Sequence, residues 1–341
     1  MSADMSTRGG IDLGGTKIQA VVVNGAGRPL GDARAPTPHD GGPADVAEAM
    51  SAVLREAATA AGVEPAELSG VGVGSPGDVD AATGVVSNVV NLPNWAAGFP
   101  LAETLAGALR TQVAIGNDVQ VATNAEARLG AGKPYSSLLG VFWGTGVGGG
   151  IVLNGKAWVG RGAAAEIGHM VVRRGGARCP CGRRGCMEAY AGRGAMEARA
   201  RRLNKRGRRT RLFEIMEDRG RDRLTSGVWE RALTQGDGLA EELIERALKA
   251  LGAGVASAVN LLDVEAVVIG GGLGLRLGEP YVRRIREAMM PHLFNDDRPP
   301  AVELSTLGDL GGAIGAALLV PARRKAAAKT ASLSERTSQE A

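Results

Sequence analysis

At 341 residues, 44% of them hydrophobic, the chain is long enough for two domains with substantial cores. No run approaches the roughly 20 apolar residues that span a bilayer. The polar stretch from Met1 to Gly10 lacks the apolar core of a signal peptide, so a reduced, cytoplasmic protein is expected, with neither membrane nor secretion. The net charge of +4 gathers between Arg199 and Arg211, a run without interleaved aromatics that reads as a solvated segment and not as a nucleic-acid track.

In chain order, Ile11 to Leu13 reads as a strand, Gly14 to Lys17 as a turn and Ile18 to Val23 as a second strand ending in Asn24-Gly25, a strong hairpin signal. A helical pattern covers Pro43 to Ala61, and Val71 to Val73 is a strand running into Gly74-Ser75-Pro76-Gly77. Leu101 to Arg110 is helical, Val113 to Gly116 a short strand closed by Asn117-Asp118, and Val119 to Leu129 helical again. The opening pattern then recurs: strand Leu138 to Trp143, a glycine turn over 144–150, strand Ile151 to Leu153 and a second Asn-Gly turn at Asn154-Gly155. Helices are expected over Ala191 to Asn204 and Leu239 to Asn260, then a strand from Ala266 to Ile269 entering Gly270 to Gly274, and a small-residue helix from Gly311 to Val320. The alternation is α/β, in two related lobes that each offer a glycine-rich hairpin to a shared cleft. The tail beyond Pro321, rich in Ala, Lys, Ser and Thr, reads as disordered.

The glycine loops carry chemistry. Asp12-Leu13-Gly14-Gly15-Thr16-Lys17 sets an acid at a strand end, then amides free of side-chain bulk, a hydroxyl and a cation, which suits a tight turn or an anion cradle. Its recurrence as Gly144-Thr145-Gly146-Val147-Gly148-Gly149-Gly150 favours a double phosphate clamp. The second loop also satisfies the dinucleotide fingerprint, but a strand-like Ile-Val-Leu follows where a helix is required. Gly150 to Ala157 falls one residue short of a Walker A loop, with Ala157 in place of the magnesium-holding hydroxyl. Asn117 and Asp118, at a strand-to-helix step, suit either a helix N-cap or groups projected into the cleft, where a positioned acid could take a proton from an alcohol.

All three cysteines lie in Cys179-Pro-Cys181-Gly-Arg-Arg-Gly-Cys186, shortly after Glu166-Ile-Gly-His169. Their odd count, and the closeness of Cys179 to Cys181, argue against a disulfide framework. Three thiolates and the His169 imidazole make a closed tetrahedral set for structural zinc, with buried thiols as the alternative. Glu166 and Glu188 flank the set and could present acceptors to a polyhydroxylated ligand.

Taken together, from Ile11 to about Val320, these motifs resemble the ROK family of sugar kinases and repressors, within the actin-like, ribonuclease H-like ATPase superfamily. The resemblance implies two lobes around a cleft: residues 11–118, completed by the helix near 311–320, and residues 119–305, with a zinc knot over 169–186; residues 1–10 and 322–341 are expected to be disordered. It implies a cytoplasmic glucokinase using ATP with Mg²⁺, in which Asp118 deprotonates the sugar 6-hydroxyl. Gly74, Asn91, Asn117, Asp118, Glu166, His169 and Glu188 match sugar-binding positions. Asp12, Gly14, Gly15, Thr16, Lys17, Thr145 and Gly146 match the phosphate clamp, and Gly271 and Gly272 the loop bordering adenosine. His169, Cys179, Cys181 and Cys186 match the zinc ligands, with the second His169 ring nitrogen touching sugar. The linker Asn91-Leu92-Pro93-Asn94-Trp95 resembles the glucokinase branch more than the N-acetylated sugar kinases. Kinases of other hexoses or N-acetylhexosamines, and polyphosphate as donor, stay open, and a homodimer or dimer of dimers is implied. Repressor members carry a helix-turn-helix domain ahead of the first strand, where this sequence has ten residues, so DNA binding is not expected.

Overall fold

The computed structural model describes residues 6–89 and 92–321. Asn91 and the tail 322–341 lie outside the described residues. The first part of the chain forms β1 (Arg8–Leu13), β2 (Lys17–Val23), β3 (Pro29–Pro36), α1 (Pro43–Ala60), β4 (Val71–Ser75), the small hairpin β5 (Asp78–Asp80) and β6 (Val85–Ser87), α2 (Leu101–Leu109) and β7 (Val113–Asn117). Helix α3 (Asp118–Leu129) leads to β8 (Leu138–Trp143), β9 (Val147–Leu153) and β10 (Lys156–Ala157). A helical stretch follows: α4 (Glu188–Ala191), α5 (Arg193–Lys205), α6 (Leu212–Asp218), α7 (Ser226–Thr234) and α8 (Gly238–Leu262). The chain continues through β11 (Ala266–Gly270), α9 (Gly271–Leu277), α10 (Glu279–Met289), β12 (Ala301–Leu304) and α11 (Gly311–Ala317).

The two five-stranded sheets share one plan. In order β3-β2-β1-β4-β7, three antiparallel strands are extended by two parallel ones, and β10-β9-β8-β11-β12 repeats the pattern. This duplicated core is the two-lobed, actin-like α/β architecture. The turns at 14–16 and 144–146 join corresponding strands of the two sheets, β1 to β2 and β8 to β9, so the sequence repeat becomes a repeat of topology. One apolar core fills the space between α1, α2 and the first sheet, and a larger one lies between the second sheet and helices α4 to α10.

Small residues bring α3 and α11 down onto the sheets. Gly10 in β1 and Gly72 in β4 lie against the backbone of Ala313, Ala316 and Ala317 in α11, leaving no room for a Cβ. Gly140 and Gly150, in β8 and β9, meet the Thr123 side chain of α3, and a Cβ on Gly148 would come 2.6 Å from Val119. Here the structure departs from the sequence expectation: glycines 148–150 belong to β9, and the turn is confined to Gly144-Thr145-Gly146. Gly148 and Gly150 serve close packing of α3 on the sheet, and Gly149 leaves room on the other face for Ala165 O (2.6 Å from where its Cβ would stand) and Ile167.

Other boundaries move as well. Residues 8–10, expected to be disordered, are strand, because Gly9 donates to Gly70 and the buried Arg8 guanidinium donates to Val320 O (3.1 Å) and Gly25 O (3.2 Å). The glycines after β11 do not continue as a loop but start α9, with Gly271 at φ +80. Helices α6, α7 and α10 had no sequence expectation; each buries only three residues, too little pattern for a periodicity reading. Among the described residues no helix is long and apolar enough to cross a membrane.

Candidate active site

On the first lobe, Asp12 stands at the end of β1 and the next turn is pinned by Gly14 N–H to Lys17 O (2.9 Å). Thr37, buried just past β3, locks this turn from beneath: its hydroxyl donates to Gly14 O at 2.7 Å and its N–H to Thr16 O at 3.2 Å. Gly15 and Thr16 complete the turn, and Lys17 pairs with Asp309 at 3.5 Å. The first turn of α11 closes over Asp12, where a Cβ on Gly312 would lie 2.5 Å from its carboxylate. Burial, then the Asp118 carboxylate, push the Asp12 carboxyl up to about 7 against the opposing pull of Lys17.

Asn117 and Asp118 divide the two roles that the sequence left open. Asn117 is the N-cap of α3, its side-chain oxygen accepting from Val119 N–H and Gln120 N–H at 3.1 Å each, and its side chain also hydrogen-bonds the Asp118 carboxylate. Asp118 begins the helix, and one carboxylate oxygen accepts from Val119 N–H (2.9 Å). Burial pushes the Asp118 carboxyl up to about 6, opposed by the Val119 N–H and reinforced by the Glu166 carboxylate. Gly74 permits this arrangement, since a Cβ there would sit 2.9 Å from Val121 and 3.4 Å from the Asp118 Cα.

Glu166 precedes the single 3₁₀ turn Ile167–His169, and His169 Nε2 lies 3.9 Å from the Glu166 carboxylate. The opposite ring nitrogen faces the cysteines: Nδ1 is 3.7 Å from Cys179 Sγ, and Cys181 Sγ is 3.7 Å from Cys186 Sγ. All four donor atoms lie within 4.8 Å of one another. A tetrahedron with Zn–S bonds of about 2.3 Å has S···S edges of about 3.8 Å, so the donor set fits zinc after shifts of roughly 1 Å or less. Tight turns gather the ligands, with Gly182 and Gly185 both at φ +87 and Cys179 N–H donating to Arg183 O at 2.8 Å. Glu188, at the start of α4, ties this knot to the second glycine turn: one oxygen accepts from Val147 N–H (3.0 Å) and the other is 3.8 Å from Cys179 Sγ.

On the second lobe, Gly144 N–H donates to Gly146 O (3.0 Å), closing the turn around Thr145. Gly271 passes the end of β8 so closely that a Cβ would be 2.6 Å from the Trp143 backbone, and Gly272 N lies 3.8 Å from where a Cβ on Gly144 would stand. The fold therefore gathers Asp12, Gly14, Gly15, Thr16 and Lys17 at the turn between β1 and β2, and sets Gly271 and Gly272 beside the turn between β8 and β9 that carries Thr145 and Gly146. Asn91, the remaining sugar-site expectation, is outside the described residues. Sequence reasoning missed Thr37, Asp309, Gly312 and Arg193, which adjoin these loops but carry no motif of their own.

The ROK family profile matches residues 8–323. A glucokinase of Thermotoga maritima is 31% identical over 319 residues, covering 92% of this chain and 97% of its own. N-acetylgalactosamine kinase AgaK of Shewanella sp. is 32% identical over 319 residues, covering 91% and 95%. Among solved structures, a ROK family glucokinase from Streptomyces griseus in complex with glucose and AMPPNP superimposes with a TM-score of 0.78 at 31% identity, covering 92% of this chain and 99% of that one. With the family profile running through both glycine turns, the Asn117-Asp118 step and the Cys/His knot, the chain belongs to the ROK family.

Proposed function

We propose that the protein is an ATP-dependent glucokinase, with Asp118 as the general base. One observation carries the reading: the buried Asp118 carboxylate lies near both Asp12, at the first glycine turn, and Glu166, beside the Cys/His knot, and at about 6 it is ionised at neutral pH yet still basic enough to accept a proton. Its relatives act on hexoses or N-acetylhexosamines, and the Streptomyces griseus enzyme holds glucose with an ATP analogue.

In this reading the Asn117 amide, Glu166, His169 and Glu188 hold the sugar hydroxyls, with Asn91 and the backbone at Gly74 completing the contact. The 6-hydroxyl passes its proton to Asp118 as its oxygen bonds to the γ-phosphorus, and the bond from that phosphorus to the β-phosphate oxygen breaks to release ADP. The amides of Gly14, Gly15 and Thr16, with Lys17, hold phosphate oxygens on one side; Thr145 and Gly146 do so on the other. Gly271 and Gly272, having no side chains, leave room for adenosine. Asp12 is the acid placed to hold Mg²⁺, which when bound neutralises charge on the phosphate chain. Zinc on His169, Cys179, Cys181 and Cys186 would fix the imidazole so that Nε2 faces the sugar beside Glu166.

A coupled assay over glucose, mannose, N-acetylglucosamine, N-acetylgalactosamine and N-acetylmannosamine, each with ATP, tests the assignment. Glucose should give the highest kcat/KM; a preference for an N-acetylated sugar would move the protein to the branch of its N-acetylgalactosamine kinase relative.

A further inference from the structure

The segment Gly192-Arg193-Gly194, at the start of α5, runs along the second glycine turn. Arg193 N–H donates to Gly144 O (3.1 Å), Gly194 N–H to Thr145 O (3.0 Å), and the Arg193 guanidinium to the Thr145 hydroxyl at 2.8 Å. Nothing else among the described residues accepts a hydrogen bond from that side chain, so most of its five donors are uncommitted. A second guanidinium stands close by: a Cβ on Gly194 would lie 3.6 Å from Thr145 O and 3.9 Å from Arg223 Nη2.

The local charge is out of balance. Glu197, nearly buried, is the carboxylate that acts on Arg193, but Arg201 already holds it at 2.7 Å and Arg223 at 3.6 Å, and the Leu224 N–H takes a further contact at 3.1 Å. Three guanidinium groups thus share one carboxylate. Burial and the neighbouring Arg223 charge together disfavour the charged Arg193, which lowers its ordinarily very high pKa. Space is open beside it, since Cβ atoms on Gly144, Gly194 and Gly272, from three different elements, would meet nothing closer than 3.6 Å. Excess positive charge around an unfilled slot calls for a polyanion.

We propose that Arg193, supported by Arg223, binds the phosphate chain of the phosphoryl donor from the second lobe, opposite Lys17. The inference rests on the kinase reading and extends it to donor recognition. Arg193 presents a planar fork to non-bridging phosphate oxygens, while its bond to Thr145 fixes the hydroxyl so that its proton points to the same oxygens. The phosphate chain of ATP and inorganic polyphosphate share this chemistry.

Calorimetric titration of wild type, Arg193→Ala and Arg193→Lys with AMPPNP, tripolyphosphate and adenosine, alongside steady-state kinetics, tests it. Arg193→Ala should weaken AMPPNP and raise KM for ATP at least about tenfold, the size of a lost charge-assisted contact, with Arg193→Lys intermediate. Adenosine affinity and KM for glucose should stay within about twofold in both variants. Tripolyphosphate binding lost in parallel with AMPPNP, together with wild-type turnover of it, assigns inorganic polyphosphate as a second donor; tripolyphosphate without binding or turnover leaves ATP alone. A folded Arg193→Ala protein that binds AMPPNP within twofold of wild type overturns the inference while leaving the kinase reading intact. A wild type that binds no AMPPNP and phosphorylates no sugar overturns both. If Arg193→Ala does not fold, Arg193→Gln is judged by the same limits.

Discussion

The Ser305 hydroxyl donates to the Glu126 carboxylate at 2.6 Å, both side chains buried, and so joins the helix that carries Asp118 to the segment that leads over Asp12. The same carboxylate accepts from the N–H groups of Thr306 (3.1 Å), Leu307 (2.9 Å) and Ala131 (2.9 Å). A carboxylate out of water persists only when its lone pairs are filled in this way. Glu126→Ala strands several backbone donors and should lower unfolding stability by about 3–5 kcal/mol, with Glu126→Gln milder because one oxygen remains. Urea denaturation decides; a midpoint unchanged in Glu126→Ala would show that the hub is not structural.

Asp118→Asn should fold, bind glucose and lose kcat by several orders of magnitude, because the shape of the site stays while its proton acceptor goes. Near wild-type turnover in this variant would remove Asp118 from the chemistry.

The raised value of Asp118 makes two pH predictions. With the folded-state value at about 6, kcat/KM for glucose should fall about tenfold per pH unit below that point as the base protonates. Stability carries the opposite sign. A carboxyl raised above its ordinary 3.8 stabilises the fold fully below that value and loses the contribution as pH rises through about 6. Asp118→Asn should therefore melt above wild type at pH 8, with the difference shrinking toward pH 4; a difference independent of pH contradicts the burial account.

Purified protein should contain about one zinc per chain. Cys181→Ala should lose the metal and raise KM for sugar about tenfold or more, since His169 would no longer be held in register. Fully active protein free of zinc by metal analysis would refute the structural role of the knot.

The basic run should behave differently from Arg193. Arg208 pairs with Glu242 at 3.0 Å and Arg211 with Glu214 at 3.7 Å, both at half-exposed sites where such pairs contribute about 1 kcal/mol at most. Replacing Arg206, Arg208 and Arg209 together with Gln should leave turnover within about threefold, with a shallow salt dependence. Loss of activity in the triple variant would place a polyanion track on this surface.

The sequence by itself determined what is local. Asn154-Gly155 specified its hairpin because both residues tolerate positive φ, and they adopt +51 and +72. The spacing of Cys179, Cys181 and Cys186 within a turn-rich stretch specified the ligand cluster for the same reason: a few residues set its geometry. The recurrence of the glycine turn specified the duplicated sheet plan. Tertiary structure alone decided the contacts between residues far apart in the chain. Gly312 and Asp309 reach Asp12 and Lys17 only because α11 returns to the first sheet, and Glu126 meets Ser305 across 179 positions. The basicity of Asp12 and Asp118 is likewise a product of burial and of repulsion from neighbouring carboxylates, Asp118 on Asp12 and Glu166 on Asp118, which depend on distances that no periodicity encodes. Glycines 148–150 read as a loop in the sequence and proved to be a strand, because the bareness of Gly148 and Gly150 answers Val119 and Thr123 on a helix, and that of Gly149 answers Ala165 and Ile167 on the opposite face, none of which the linear pattern could place against them.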